Sequence, residues 1–170
     1  MTDSPHAATT ISVPAGTENR ILSLWQRMSR LPAGTRLFSI FLGRFARYSG
    51  SIGAHVVELA PGHCVVRMRD RARVRNHLHS VHATALVTLG ELTSGLSLVA
   101  ALPPRMRVIV TGLEIDYLKK ARGLLTAHGS APSPDGLERR EYIATASITD
   151  PSGDEVAAIR VTWLVGPEKD

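Results

Sequence analysis

The sequence contains a single cysteine, few aromatic residues and no long uninterrupted apolar stretch. Because Cys64 is alone, an internal disulfide is excluded and no thiolate cluster can hold a structural metal, which indicates a reducing compartment. Aromatic residues make up 5% of the chain, too few to predict the stacking platform of a nucleic-acid-binding protein. No apolar run reaches the roughly 18 to 20 residues of a membrane span, and residues 1–17 lack the basic start and apolar segment of a signal peptide. We therefore expect a cytoplasmic protein without an integral membrane segment.

The length and net charge of the chain limit the number of domains it can form and the partners it can bind. The chain has 170 residues, of which 44% are hydrophobic; this is enough for the core of one domain, whereas two domains would both be undersized. Lysine and arginine exceed aspartate and glutamate by 20 − 15 = 5, so the protein is basic and suits an anionic partner. Since the basic residues are scattered along the sequence, we expect a phosphorylated small molecule rather than nucleic acid.

The N-terminal part of the sequence predicts a flexible polar tail over residues 1–17 and helices over residues 18–48. The first helix is predicted to begin near residues 17–19, and its apolar positions recur at helical spacing: Ile21, Leu22, Trp25 and Met28. The second begins near residue 35, ends before residue 49, and has an apolar stripe of Leu37, Phe38, Phe41, Leu42 and Phe45. A basic helix with aromatic residues could lie on a membrane surface, but we favour packing against its own domain.

From residue 49 onward the pattern predicts an α+β domain that ends near residue 167. Residues 52–59 and 63–69 alternate around Ala60-Pro61-Gly62 and predict a β-hairpin, with Cys64 as a small buried residue on its second strand. A basic, histidine-containing loop over residues 70–81 leads into a long helix. Four further strands are predicted over residues 106–118, 123–131, 140–150 and 155–165. This order indicates an antiparallel sheet wrapped on one helix rather than alternating β-α-β units.

The long helix, predicted over residues 82–101, is apolar on nearly all sides and ends before Pro103-Pro104. One stripe differs, because Thr84, Thr88, Glu91 and Gly95 are spaced by four, three and four residues and so share a face. A carboxylate in a largely buried helix must be paired, neutralised or used chemically, since an unpaired buried charge costs several kcal/mol. Glu91 is therefore the first candidate for a functional residue.

The motifs resemble those of the hotdog-fold thioesterases of the phenylacetyl-CoA type, and especially an uncharacterised branch of that superfamily. The resemblance covers residues 51–165 and rests on four segments: Arg-Asn-His at 75–77, Ser-Val-His-Ala at 80–83, Leu-Gly-Glu at 89–91 and Ile-Asp-Tyr-Leu-Lys-Lys-Ala-Arg-Gly at 115–123. In the family pattern an acid follows the histidine by nine positions, as Glu91 follows His82. The sequence departs from the pattern where Ala83 and Thr84 replace two glycines, and where residues 79–80 are His-Ser rather than Gly-Thr.

The resemblance implies a hotdog fold that hydrolyses an acyl-CoA or acyl-carrier thioester, with no cofactor other than the coenzyme A of the substrate. Glu91 would be the general base or nucleophile, and Asn76 would position the attacking water or the carbonyl. The N–H of Ala83 would stabilise the oxyanion, because the first amides of a helix lack intrahelical partners and lie at its positive end. The predicted substrate-binding residues are His82, Thr84, Ser94, Tyr117, Lys119, Lys120 and Arg122.

Other interpretations remain open on sequence alone. Glu91 could be a structural acid paired in a dimer interface, and the lost glycines would suit a non-catalytic acyl-CoA or lipid-binding module. His77 precedes Glu91 by 14 positions, a spacing that resembles hotdog hydroxyacyl dehydratases, but the proline-glycine helix start of those enzymes is missing. His77, His79 and His82 lack a further ligand that would make a metal site convincing. We expect a homodimer or a dimer of dimers, since the resemblance places the site between two subunits.

Overall fold

A helical segment precedes the sheet. It consists of α1 (Arg20–Met28), α2 (Gly34–Phe45) and the short α3 (Arg47–Gly50), which the sequence pattern did not predict. The structure is a computed structural model that describes residues 19–134 and 136–167, so the predicted tail over residues 1–17 lies outside the described part of the chain.

The sheet is antiparallel and six-stranded, with the order β1-β2-β4-β5-β6-β3. Its strands are β1 (His55–Ala60), β2 (His63–Arg69), β3 (Met106–Tyr117), β4 (Leu124–Ser130), β5 (Arg140–Thr149) and β6 (Glu155–Pro167). All six predicted strands are present, and most boundaries lie within two residues of the prediction. The start of β1 was wrong by three residues, because the chain turns at Gly53, where φ is +63°.

The central helix α4 (Ala83–Ala101) lies against this sheet and forms the core. Its sheet-facing side includes Leu89 and Thr93, both fully buried. By length and apolar composition alone α4 could cross a membrane, but 67% of that stretch is buried inside the domain. The arrangement of one long helix wrapped by an antiparallel sheet is the hotdog fold, as the resemblance predicts.

Small residues let β6 approach α4 closely. A Cβ atom added at Gly90 would lie 2.5 Å from the side chain of Ile159, and one added at Gly95 would lie 2.8 Å from the indole ring of Trp163. Cβ atoms do not approach other atoms so closely, so glycine is required at both positions for this packing. Gly95, which the sequence placed on the polar stripe, thus contributes to packing.

The two edges of the sheet differ. Helix α2 covers the edge of β1, where the Val56 N–H donates to the Ser39 hydroxyl at 2.9 Å, and that hydroxyl donates to the Thr35 carbonyl at 2.7 Å. The opposite edge strand, β3, carries the exposed side chains Ile109 and Val110. An uncovered apolar edge strand is a surface on which another strand can pair.

Helix α2 packs on its own domain as predicted, but its predicted apolar stripe is divided. Phe38 and Leu42 are buried, and the Phe38 ring meets the ring of Trp25 edge-on at 5.0 Å between centroids. Leu37, Phe41 and Phe45 are exposed. The stripe is therefore wider than the surface that α2 buries.

Candidate active site

The start of α4 presents a free backbone donor. His82 is the N-cap, and its ring Nδ1 accepts from the Thr84 N–H at 3.2 Å and lies 2.8 Å from the Thr84 hydroxyl. The N–H of Ala83 makes no hydrogen bond within the described part of the chain, and Ala83 is exposed. This amide lies at the positive end of the helix and can donate to a negative oxygen.

The loop before α4 is organised by Asn76. Its side-chain oxygen accepts from the Leu78 N–H at 2.9 Å and from the Ser80 N–H and hydroxyl, both at 3.2 Å. Its side-chain NH₂ has no partner among the described residues, so only the amide nitrogen can still donate to a ligand. His79, at one of the positions where the family pattern has glycine, adopts a φ of +54°, which is strained for any residue with a side chain.

An ion pair that is open to solvent on its arginine side holds the base of that loop. The Arg75 guanidinium donates to one carboxylate oxygen of Asp70 at 2.6 Å, and the Gly123 N–H donates to the other at 3.2 Å. The Arg75 hydrogen bond is the main reason that the pKa of Asp70 is lowered from its ordinary value; the Gly123 N–H and the nearby Arg122 act in the same direction. Asp70 was not predicted from the sequence, since an acid that follows a strand carries no distinctive signal.

The surroundings of the Glu91 carboxylate contrast with those of Asp70. Its side chain lies partly buried near the middle of α4, and its carboxylate makes no ion pair or hydrogen bond to any residue that the structure describes. Burial alone raises the pKa of this carboxyl. A carboxylate that is desolvated but unpaired is a better base than an exposed one.

Ala83 and Glu91 lie far apart along the helix. They are separated by eight positions, or about 12 Å at the α-helical rise of about 1.5 Å per residue. The side chain of a glutamate leans toward the helix N-terminus but is too short to span that gap. Within one chain, the amide and the carboxylate therefore do not meet at a single carbonyl group.

A groove of about 260 Å³ runs beside the helix start. Three of the stripe and cap residues line it, namely His82, Thr84 and Thr88. Tyr48 and Arg73 also line this groove, and neither was predicted from the sequence as a site residue. No local pattern marks these two residues, because only the packing of α3 and the loop against α4 brings them to the groove.

The remaining predicted substrate-binding residues are dispersed. The Tyr117 hydroxyl donates to the Ala83 carbonyl at 3.3 Å, so this side chain lies at the helix start. Ser94 is fully buried, and its hydroxyl donates to the Glu91 carbonyl at 3.1 Å. The roles of both residues remain predictions.

One of the three predicted substrate-binding cations is already paired with acidic residues of the same chain. Lys119 forms ion pairs with Asp150 at 2.8 Å and with Asp154 at 2.5 Å, whereas Lys120 and Arg122 are exposed. Within residues 19–134 and 136–167, no group of three or more histidine, cysteine or acidic side chains is arranged to hold a metal ion. Cys64 is fully buried on β2, as predicted, and burial raises the pKa of its thiol to about 12.

Comparisons with known proteins place these features in a family. Residues 34–165 match the family described as a domain of unknown function, DUF4442. No functionally curated protein matches the sequence significantly. Among solved structures, the structural-genomics protein APC5556 is similar, with a TM-score of 0.73 and 30% identity over 88% of this chain and 97% of that protein.

Two further solved structures share the fold. PA5026 of Pseudomonas aeruginosa, a protein of unknown function named a probable thioesterase, has a TM-score of 0.68 and 22% identity over 81% of this chain and 97% of its own. A hypothetical thioesterase of Streptococcus pneumoniae, solved with coenzyme A, has a TM-score of 0.58 and 22% identity over 69% of this chain and 91% of its own. The chain therefore belongs to the DUF4442 family, and it shares the hotdog fold of these solved structures.

Proposed function

We propose that this protein hydrolyses an acyl thioester of coenzyme A or of an acyl carrier. The main support for this proposal is the state of Glu91, whose partly buried carboxylate has no partner among the described residues. Glu91 lies on the helix whose first amide, that of Ala83, also has no partner among them. In this mechanism the Glu91 carboxylate takes a proton from water, and the oxygen of that water attacks the thioester carbonyl carbon. The carbonyl oxygen becomes negative and accepts from the Ala83 N–H. Collapse then breaks the C–S bond, and the leaving thiolate takes the proton from Glu91, which restores the carboxylate.

The separation of Ala83 and Glu91 along α4 favours a site shared by two chains. An amide from one copy and a carboxylate from another could flank one carbonyl, although the two groups of a single helix lie about 12 Å apart. The uncovered edge of β3 is a suitable pairing surface for a second copy, since Ile109 and Val110 are exposed there. We expect a dimer at micromolar concentration by light scattering; a monomer would contradict this arrangement.

A complementation experiment tests the shared site directly. Ala83→Pro removes the N–H, and proline is tolerated at the first position of a helix; His82 already has the extended ψ of 142° that a residue before proline prefers. Glu91→Gln removes the base. Each variant alone should be inactive. If one site takes Ala83 from one chain and Glu91 from the other, mixed dimers regain one intact site of two. Mixtures of refolded chains that stay inactive would place both groups of a site in the same chain.

The reaction itself is tested by release of free thiol from a panel of short, medium, long and aryl acyl-CoA thioesters. We expect turnover of at least one member, and the Streptococcus pneumoniae protein solved with coenzyme A makes this class of thioester the natural choice. The panel also identifies the preferred acyl chain. Parallel assays on acylated carrier protein separate the two possible carriers.

A non-catalytic acyl-CoA-binding module is the second candidate. It is favoured by the exposed side chains of Ala83 and Thr84, which stand at the helix start where the family pattern has glycines and restrict the approach of a thioester to the backbone. Binding of an acyl-CoA in calorimetry without release of thiol from any member of the panel would establish this function instead.

A further inference from the structure

A strongly basic cleft lies between the helical segment and the first hairpin. Its volume is about 880 Å³, and its walls come from α2, α3, β1 and β2. Five arginines and one histidine line it: Arg36, Arg44, Arg67, Arg69, Arg71 and His55. No aspartate or glutamate is among its described lining residues. We call this the arginine cleft.

No described residue neutralises the charges of the arginine cleft. The guanidinium groups of Arg36, Arg44, Arg67 and Arg69 form no ion pair or hydrogen bond within residues 19–134 and 136–167. Arg71 donates to the carbonyl of Ile52 at 3.0 Å. Other cations of the domain do have an acidic partner, as Arg75 has Asp70. Like charges gathered in a concave site without counter-charges create a potential that attracts an anion.

The arginines of the cleft also affect the pKa of His55. It lies between the hydroxyls of Thr35 and Ser39, at 3.5 Å and 3.3 Å from its two ring nitrogens. Burial lowers the pKa of His55, and the positive charges of Arg36 and Arg67 lower it further. Two of the cleft arginines therefore add to the positive potential at His55, which is itself a lining residue.

The cleft also has an apolar wall and an extension toward the helix start. The larger apolar side chains that line it include Ile40, Leu42, Leu92 and Leu124. It shares Arg44 with a second, shallower cleft of about 460 Å³ that also includes Arg47 and Arg73. Arg73 in turn lines the groove that contains His82 and Thr84. A basic path thus connects the arginine cleft with the start of α4.

We propose that the arginine cleft binds the phosphate groups of an organic phosphate, whose organic part contacts the apolar wall. Guanidinium groups suit this ligand, because their planar donors match phosphate oxygens in pairs. The phosphate could belong to a soluble nucleotide or to a phospholipid headgroup, since both present the same anionic chemistry. The inference concerns binding alone and holds whether or not the protein cleaves thioesters.

Calorimetric titration of the full chain with adenosine 3′,5′-bisphosphate and with inorganic pyrophosphate tests the soluble source. The double variant Arg36→Gln/Arg67→Gln should bind at least about tenfold more weakly, because each removed guanidinium takes away a charge-assisted hydrogen bond. The matched control is Arg27→Gln/Arg30→Gln, which also removes two charges from exposed positions but lies outside the cleft lining. The control should bind like the wild type. Equal weakening by both double variants would show a diffuse charge effect and overturn the proposal.

Two further measurements use other readouts. In NMR titrations of the histidine ring protons, pyrophosphate should raise the pKa of His55, because a bound anion offsets the fields of Arg36 and Arg67. Co-sedimentation with vesicles of phosphatidylglycerol, compared with vesicles of phosphatidylcholine, tests the lipid source. Binding only to the anionic vesicles, lost in the Arg36→Gln/Arg67→Gln variant, identifies a headgroup as the ligand. No binding of either soluble phosphate or anionic vesicles, with the His55 titration unchanged, overturns the proposal.

Discussion

Asp70 and Glu91 are two shielded carboxylates in one domain with opposite surroundings. The side chain of Asp70 is only 6% exposed, yet it accepts from Arg75 and from the Gly123 N–H, and its pKa is lowered. Glu91 is also partly buried, but no described residue pairs with it and its pKa is raised. The same chemical group is therefore held as a stable anion in one place and as a destabilised anion in the other.

The difference separates a structural role from a chemical one. Asp70 fixes the loop that carries Asn76 and leads to the helix start, so its charge contributes to folding. The Glu91 carboxylate forms no hydrogen bond or ion pair with any described residue, and burial raises its pKa. Pairing, rather than burial, distinguishes the two residues.

The largest expected effect comes from Glu91→Gln, which keeps the size of the side chain and removes its basicity. If Glu91 is the base, turnover of an acyl-CoA should drop by about 10² to 10⁴, the usual contribution of a general base, with substrate binding little changed. Steady-state thiol release and calorimetry measure the two quantities. Glu138→Gln, an exposed change in the loop before β5, is the control and should turn over like the wild type. Full activity of Glu91→Gln would remove Glu91 from the mechanism.

Asp70→Asn should mainly affect stability. It removes the charge that Arg75 and Gly123 bind, and we expect a loss of about 1 kcal/mol in the free energy of unfolding, because the pair is open to solvent on the arginine side. That loss corresponds to a Tm lower by about 2 to 4 °C in thermal unfolding at neutral pH.

The pH dependence of this loss has a defined sign. Because the folded state lowers the pKa of Asp70, its contribution is present above the ordinary pKa of 3.8 and disappears as the pH falls through the folded value. The difference between the variant and the wild type should therefore shrink in acid. Asp116→Asn, an exposed change on β3, should leave the Tm unaltered at every pH. A deficit for Asp70→Asn that persists in acid would point to altered packing instead of lost charge.

His79→Gly should stabilise the protein slightly. The positive φ of 54° at this position is unfavourable for a side-chain-bearing residue by about 1 kcal/mol, and the extra freedom of glycine in the unfolded chain offsets part of that gain. We expect an increase of about 0.5 kcal/mol in the free energy of unfolding by urea. His77→Gly, at a neighbouring exposed position without a positive φ, should not stabilise. A loss of stability in His79→Gly would mean that the imidazole makes a favourable contact.

The smallest effect concerns the stability of Glu91→Gln. Because the folded state raises the pKa of Glu91, the wild type loses stability as the pH rises above the ordinary value of 4.5, until the folded pKa is passed. The variant lacks this loss, so its Tm should exceed that of the wild type by about 1 to 2 °C at neutral pH and match it at pH values below 4.5. A lower Tm for the variant would show that the carboxylate has a partner in the assembled protein.

The sequence by itself determined the architecture. The period of two in the strands, the all-round apolar character of residues 83–101 and the turn residues between them are local signals, and they located all six strands and the central helix. The polar stripe also singled out Glu91, and the family resemblance singled out Ala83. Both lie on one helix, and neither the Ala83 amide nor the Glu91 carboxylate has a partner among the described residues.

Only the tertiary structure decided which charges are paired and which surfaces are covered. Phe38 and Phe45 belong to one apolar stripe in the sequence, yet Phe38 is fully buried and Phe45 is 80% exposed. The arginines of the cleft are spread over residues 36–71 and seemed scattered, but α2 and β2 bring them to one concavity. The physical reason is that backbone periodicity depends on neighbours in sequence, whereas the pairing of a charge or the burial of a ring depends on side chains that come from distant parts of the chain.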